Sequence, residues 1–421
     1  MLIEKFIGSA ARKKNEKYLQ FAPGTTYSLP ERKTNGVPLL LYLHIPFCEE
    51  LCPYCSFHRI VFREDLARAY FNAVRKEIIM YKDNGYDFRA LYVGGGTPTV
   101  LVDELSTTID LIRKTYNVTE ISVETNPNHL TDNNMKILKD AGVNRLSVGV
   151  QTFDDEILKA VERYHKYGSG SEIKNRLRSL KGYFDTLNVD MIFNFPTQTV
   201  QTLEEDLSAL LSLQADQITY YPLMVSSATQ KIMSRKLGTV DYDKGNELYN
   251  IITKTLEQKY RTSTAWCFSR NDAMIDEYVV SYDEYAGLGS GSIGYLNGSI
   301  YANTFDIGDY IRRIEENQFP IVARRDCNLK ERLLYDFLMK LFGLTLDLDE
   351  LAKKHGVSAM YHLMPEVCFF LFIGGLRKNG RMLTLTARGR YYWVIMMREF
   401  FVSVNNFRDY CRSVVNLSLA H

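Results

Sequence analysis

No stretch of this chain approaches the roughly 18 consecutive apolar residues of a membrane-crossing helix. Met1 to Lys17 mixes Lys, Arg and Glu with short apolar pieces, where a secretory leader needs an unbroken apolar core. An excess of charge is also missing. Basic residues number 51 against 50 acidic ones, which argues against a global field for capturing nucleic acid or an anionic membrane. Cysteine is sparse, seven residues in 421 and unevenly placed, so a secreted disulfide framework is excluded and a reducing, cytoplasmic location is expected. Solenoid repeats and low-complexity tracts are absent too. What remains is an ordinary globular composition, 46% hydrophobic and 24% charged, long enough for one large domain and a smaller one.

From Pro38 to about Leu223, short apolar β-prone runs alternate with amphipathic stretches, the pattern of a parallel sheet wrapped by helices. Strands are expected at Leu39–Ile45, Ala90–Val93, Glu120–Glu124, Arg145–Val150, Asn188–Phe193 and Gln217–Leu223. Apolar spacing of i, i+3 and i+4 places helices at Glu64–Tyr81, Asp103–Thr115, Thr131–Ala141, Asp154–Val161, Ser171–Tyr183 and Leu203–Leu213. Six β/α units imply an α/β fold of the partial-barrel kind, with functional residues at the C-terminal ends of the strands.

Four segments are expected: an N-terminal arm over 1–37, a barrel core over 38–225, an extension with a glycine-rich loop over 226–325, and a mainly helical unit over 326–421. The extension holds a helical stretch Tyr242–Gln258, an apolar segment Thr262–Phe268 and the loop Gly287–Gly294. The last unit reads as helices at Lys330–Phe342 and Asp347–His355, an apolar stretch Met360–Leu376, a turn at Asn379-Gly380 and a final helix from Ala387, a winged-helix-like arrangement.

The chemistry concentrates in Tyr42-Leu-His-Ile-Pro-Phe-Cys48-Glu-Glu-Leu-Cys52-Pro-Tyr-Cys55, which sets three thiols within eight residues. Thiolates are the soft ligands of a [4Fe–4S] cluster, which normally takes four. With three, one iron is left open to chelate the amino and carboxylate groups of S-adenosylmethionine (SAM). The competing reading is a zinc site completed by His44 or His58. Gly94-Gly-Gly-Thr97-Pro follows a strand directly, and residues without side chains there let a ligand lie against backbone amides.

Together the cysteine and glycine motifs strongly resemble the radical SAM superfamily, in the branch typified by oxygen-independent coproporphyrinogen III oxidase and related heme chaperones. The resemblance runs from about Leu39 to at least Asn303, more weakly around Leu383–Arg390. It implies a partial (β/α)6 barrel carrying a [4Fe–4S] cluster on Cys48, Cys52 and Cys55. It also implies a SAM pocket made by Tyr42, Tyr54, Gly94, Gly95, Gly96, Thr97, Glu124, Gln151, Arg163 and Asp190, with Tyr42 and Arg163 as the catalytic side chains. The implied partners are a tetrapyrrole or other small-molecule substrate and a reducing donor such as flavodoxin or ferredoxin, with no nucleic acid. Trp266 and Cys267 are expected in the core, and Cys327, Cys368 and Cys411 as buried small apolar residues.

Three features depart from the branch. Phe57 stands where the oxidases carry a further cysteine, the arm before Tyr42 is shorter, and Ser269–Tyr278 lacks the His-Asn and Tyr-Trp pairs of the heme chaperones. The expected function is radical generation from SAM, with oxidative decarboxylation of coproporphyrinogen III as the specific expectation. A radical methyltransferase, a heme-degrading enzyme and a heme-binding chaperone are the alternatives.

Overall fold

The structure is a computed structural model and describes residues 2–19, 21, 27–31, 38–271 and 278–418. Parts of the 1–37 arm, and residues 272–277 of the segment compared with the heme chaperones, lie outside the described residues.

Six strands form the centre: β1 Leu39–Ile45, β2 Ala90–Gly95, β3 Glu120–Thr125, β4 Arg145–Gln151, β5 Thr186–Phe193 and β6 Gln217–Pro222. They pair in parallel and in sequence order. All seven side chains of β1 are buried, as expected for a parallel strand covered on both faces. The helix Glu64–Asp83 buries Ala67, Tyr70, Phe71, Val74, Ile78 and Tyr81 along one stripe, and opens with Glu64 and Asp65 where its dipole favours negative charge. Thr131, Ser169 and Thr199 cap later helices, the last two through capping boxes.

The sheet does not close. Short antiparallel strands Cys267–Ser269 and Arg261–Thr262 extend it beyond β6. Beyond β1 lies Glu284–Leu288, parallel to it, followed by antiparallel strands Ile293–Leu296, Ser299–Asn303 and Ile321–Asp326. The barrel is therefore partial, as expected. The segment Gly287–Gly294, expected as a loop, is instead a strand–turn–strand. Its glycines serve close packing: a β-carbon on Gly289, at φ +90°, would lie 2.6 Å from the His44 carbonyl oxygen.

The C-terminal part has the expected hairpin at Asn379-Gly380, in a three-stranded antiparallel sheet of Thr345–Asp347, Met382–Leu385 and Leu376–Asn379. The apolar stretch from Met360 is not one helix: a 3-10 turn leads into a helix only over Met364–Phe372, which stops before Gly374 at φ +72°. Cys368 faces outward from that helix, because Val367 and Phe370 carry its buried stripe, and Cys411 is only half-buried. Cys267 and Cys327 are buried as expected. The final helix Ala387–Ser418 packs against the helix Leu2–Tyr18, with Arg12 Nε 2.8 Å from Glu399. Among the described residues no helix is long and apolar enough to cross a membrane.

Candidate active site

The cysteine loop leaves the C-terminal end of β1 and is closed at its base. Ile60 N donates to Pro46 O at 2.7 Å and Phe62 N to Cys48 O at 2.8 Å, clamping both ends. Inside, Arg59 donates to the carbonyls of both Cys52 and Cys55. The glycine loop is zipped to the same segment, Gly96 N donating to Ile45 O and Thr97 N to Phe47 O, each at 2.7 Å. A β-carbon on Gly96 would stand 2.6 Å from Phe47 O, so only glycine lets the two loops lie together.

One cavity of about 350 Å³ gathers the expected residues. Cys48, Cys52, Cys55, Tyr42, Tyr54, Gly95, Gly96, Thr97, Glu124, Gln151, Arg163 and Asp190 all line it. Gly94 does not; it is buried in β2, and the Glu124 carboxylate occupies the space where its β-carbon would be.

A chain of hydrogen bonds links two of the thiols. Thr97 Oγ1 donates to Cys48 Sγ at 3.6 Å and accepts from Asn126 Nδ2 at 2.7 Å. Arg163 then donates to Asn126 Oδ1 at 3.3 Å, to Tyr54 OH at 3.2 Å and to Cys52 Sγ at 3.6 Å. The guanidinium also reaches the Gly149 carbonyl and lies over Tyr167, 4.2 Å from the ring centroid. Gln151 has left-handed backbone, φ +78°, at a register shift between β4 and β5, a bulge of the kind that re-aims a side chain beside a site.

Glu124 accepts from Tyr92 OH at 3.0 Å and from Gly95 N at 3.1 Å, and Asp190 accepts from Ser147 and Asn188, each at 2.8 Å. Both carboxylates thus fix neighbouring chain as well as facing the cavity. His44 lies behind the site. Its Nε2 donates to His58 O at 2.8 Å, its Nδ1 is 3.0 Å from Tyr42 OH, and burial depresses its pKa to about 3. With both nitrogens engaged, His44 has no lone pair left for zinc. His58 is buried and stacked on His44, and it too lies off the cavity lining.

The other half of the cavity is aromatic. Tyr42 stacks with Tyr278 at 5.7 Å and with Tyr92 at 6.2 Å, and Tyr285, Tyr295, Tyr335 and Trp266 continue the wall. Phe400, Phe401, Val404, Asn405 and Arg408 of the final helix also line it. Asn126 follows Glu124 by two residues in Glu-Thr-Asn-Pro, a position next to an expected site residue. Arg59, Tyr167 and the residues from the final helix carried no sequence signal of their own. Trp266 is both core and wall, and the Gly287–Gly294 segment contributes only Ile293.

The donor set suits an iron–sulfur cluster with a bound cofactor beside it. None of the three thiols is in a disulfide, and all share one cavity. Arg163 Nε is buried without an acceptor, an orphaned donor of the kind a bound ligand satisfies.

Comparison with known proteins agrees. The family model of the radical SAM superfamily matches residues 42–210. The chain is 32% identical over 370 residues to the heme chaperone HemW of Bacillus subtilis, covering 83% of this chain and 95% of that one. It is 24% identical over 399 residues to an oxygen-independent coproporphyrinogen III oxidase of Pseudomonas aeruginosa, covering 86% and 85%. The solved structure of the Escherichia coli coproporphyrinogen III oxidase HemN shares the fold, with a TM-score of 0.73 at 22% identity over 90% of this chain and 95% of that one. The superfamily's cofactors are a [4Fe–4S] cluster and SAM. With this likeness over nearly the whole length of its relatives, the chain belongs to the radical SAM superfamily, in the family that includes the HemW proteins and the oxygen-independent coproporphyrinogen III oxidases.

Proposed function

We propose that this chain is a cytoplasmic radical SAM enzyme acting on a tetrapyrrole, with Cys48, Cys52 and Cys55 as ligands of the [4Fe–4S] cluster. When bound, the cluster supplies the electron that cleaves SAM to methionine and a 5'-deoxyadenosyl radical. Tyr42, Tyr54, Gly95, Gly96, Thr97, Glu124, Gln151, Arg163 and Asp190 form the SAM pocket, with Gly94 supporting it from within the strand. Arg163 offers donors to the cofactor's carboxylate, as a fixed fork does best. Thr97 on Cys48 and Arg163 on Cys52, joined through Asn126, hold the two sulfurs in register. The aromatic wall keeps water from the reacting carbon. A flavodoxin or ferredoxin would supply the electron.

The observation that carries the reading is the continuity of the cysteine-lined floor with the tyrosine-rich wall in one cavity, because aromatic rings, the pyrroles of a tetrapyrrole among them, pack on such walls. Oxidative decarboxylation of coproporphyrinogen III is the specific activity we favour, in keeping with the named oxidase relatives. The similarity to HemW relatives supports a second reading, heme binding for delivery.

Anaerobic reconstitution with iron and sulfide, then SAM and dithionite, separates these readings. Release of 5'-deoxyadenosine and carbon dioxide that rises with coproporphyrinogen III supports the decarboxylase. Release indifferent to it overturns that substrate and leaves the radical methyltransferase and heme-degrading activities to be assayed. Stable retention of heme with no SAM cleavage by the cluster-loaded protein favours the chaperone.

A further inference from the structure

The final helix carries a buried cation that none of the chemistry above uses. Arg408 lines the cavity, yet only 8% of it is exposed. Its Nη1 donates to Asn405 Oδ1 at 2.9 Å and its guanidinium carbon lies 4.8 Å from the Phe57 ring centroid. Its Nε is buried with no acceptor, and among the described residues it pairs with no carboxylate. The nearby Asp409 is engaged by Arg412 instead. Burial presses the Arg408 pKa down, and the neighbouring Arg412 adds repulsion, but a guanidinium keeps its proton.

Burying a cation without a counter-charge is costly, and an apolar residue in its place carries no such penalty. The position makes physical sense when an anion completes it. Tyr42, Tyr278 and Cys55 line the same cavity as the guanidinium, and Asn405 orients it. We propose that Arg408 is the anion anchor of the substrate pocket, pairing with a carboxylate of an aromatic or macrocyclic polycarboxylate laid against the tyrosine wall. The inference rests on reading this cavity as the substrate chamber and names the feature of the substrate that it recognises. Arg163, which already contacts Cys52, is the candidate for the carboxylate of SAM; Arg408 takes that of the substrate.

Four probes test it by fluorescence titration of the cluster-loaded full chain: coproporphyrin III, its tetramethyl ester, naphthalene-2,6-dicarboxylate and its dimethyl ester. The wild-type protein is expected to prefer coproporphyrin III over the ester by about tenfold or more, the size of one charge-assisted pair. Arg408→Met is expected to erase the preference and Arg408→Lys to restore part of it, with SAM affinity and cluster absorbance unchanged. Loss of an unpaired buried cation leaves Tm level or higher, whereas a purely structural role would lower it. Arg408→Gln repeats the comparison if the apolar variant does not fold.

A preference that survives Arg408→Met, or a loss confined to SAM affinity, overturns the proposal. So does the absence of any acid-over-ester preference in both pairs. If neither porphyrin binds but the naphthalene pair shows a preference that Arg408→Met removes, the tetrapyrrole reading falls and the anchor stands.

Discussion

Arg163 donates to the Cys52 sulfur at 3.6 Å across 111 positions of sequence, joining the end of the α/β core's fourth unit to the loop that follows its first strand. The same guanidinium holds Tyr54 and Asn126. Replacing it with Lys keeps the charge and loses the fork. Arg163→Lys is expected to weaken SAM binding at least about tenfold, the loss of one charge-assisted hydrogen bond, measured by equilibrium dialysis on the reconstituted protein. Unchanged affinity would place Arg163 in a purely structural role.

The seven cysteines divide into two groups. Ala at Cys48, Cys52 or Cys55 is expected to remove the iron and the visible absorbance of the cluster from the reconstituted protein. Ala at Cys267, Cys327, Cys368 or Cys411 is expected to leave both in place. Iron analysis of the seven variants checks this, and a cluster lost on replacing Cys267 would overturn the three-ligand assignment.

Gly96 is pinned between backbones, since its β-carbon would meet both Phe47 O at 2.6 Å and Ile45 O at 3.0 Å. Gly96→Ala must push the glycine and cysteine loops apart. We expect a stability loss of about 1–3 kcal/mol, the usual cost of overpacking, together with weaker SAM binding. Gly85, with nothing within 4 Å of its β-carbon position, is the control: Gly85→Ala, at φ +77°, carries backbone strain but should leave the site intact. Denaturant midpoints and SAM titration of both variants measure the difference.

Glu77 is fully buried, accepting from Tyr310 OH at 2.5 Å, Gly289 N at 2.9 Å and Asn303 Nδ2 at 3.2 Å, and burial raises its pKa to about 7. Asp206 is raised to about 7 by the same cause. A carboxyl whose folded pKa lies above its unfolded one holds its proton longer in the folded state. Its stabilising contribution is fully present below about pH 4.5 and fades as pH rises through 7. For Glu77 the span from 4.5 to about 7 corresponds to roughly 3 kcal/mol as an upper bound. Glu77→Gln should therefore flatten much of the fall in urea midpoint between pH 5 and pH 8, leaving the part due to Asp206. An unchanged slope would show that Glu77 does not titrate there.

The sequence by itself determined the β/α rhythm and the rim. The apolar runs mark β1 to the residue and the other core strands to within a residue or two, because strands buried on both faces leave continuous apolar runs between polar breaks. Cys48–Cys55, Gly95–Thr97, Glu124, Gln151 and Asp190 came together because successive parallel strands end on one side. Their order in the chain is their order around the cavity.

Only the tertiary structure decided what covers that rim. Glu284–Leu288 pairs with β1 across more than two hundred residues, and Gly289, just beyond it, reads as a loop glycine although it answers to Tyr70 and the His44 carbonyl, which no local pattern reveals. Likewise Arg408, Asn405 and Phe401 sit on a helix whose amphipathic period shows that one face is buried but not against what. The partner of a face is chosen by packing between distant segments, and periodicity contains no information about distance.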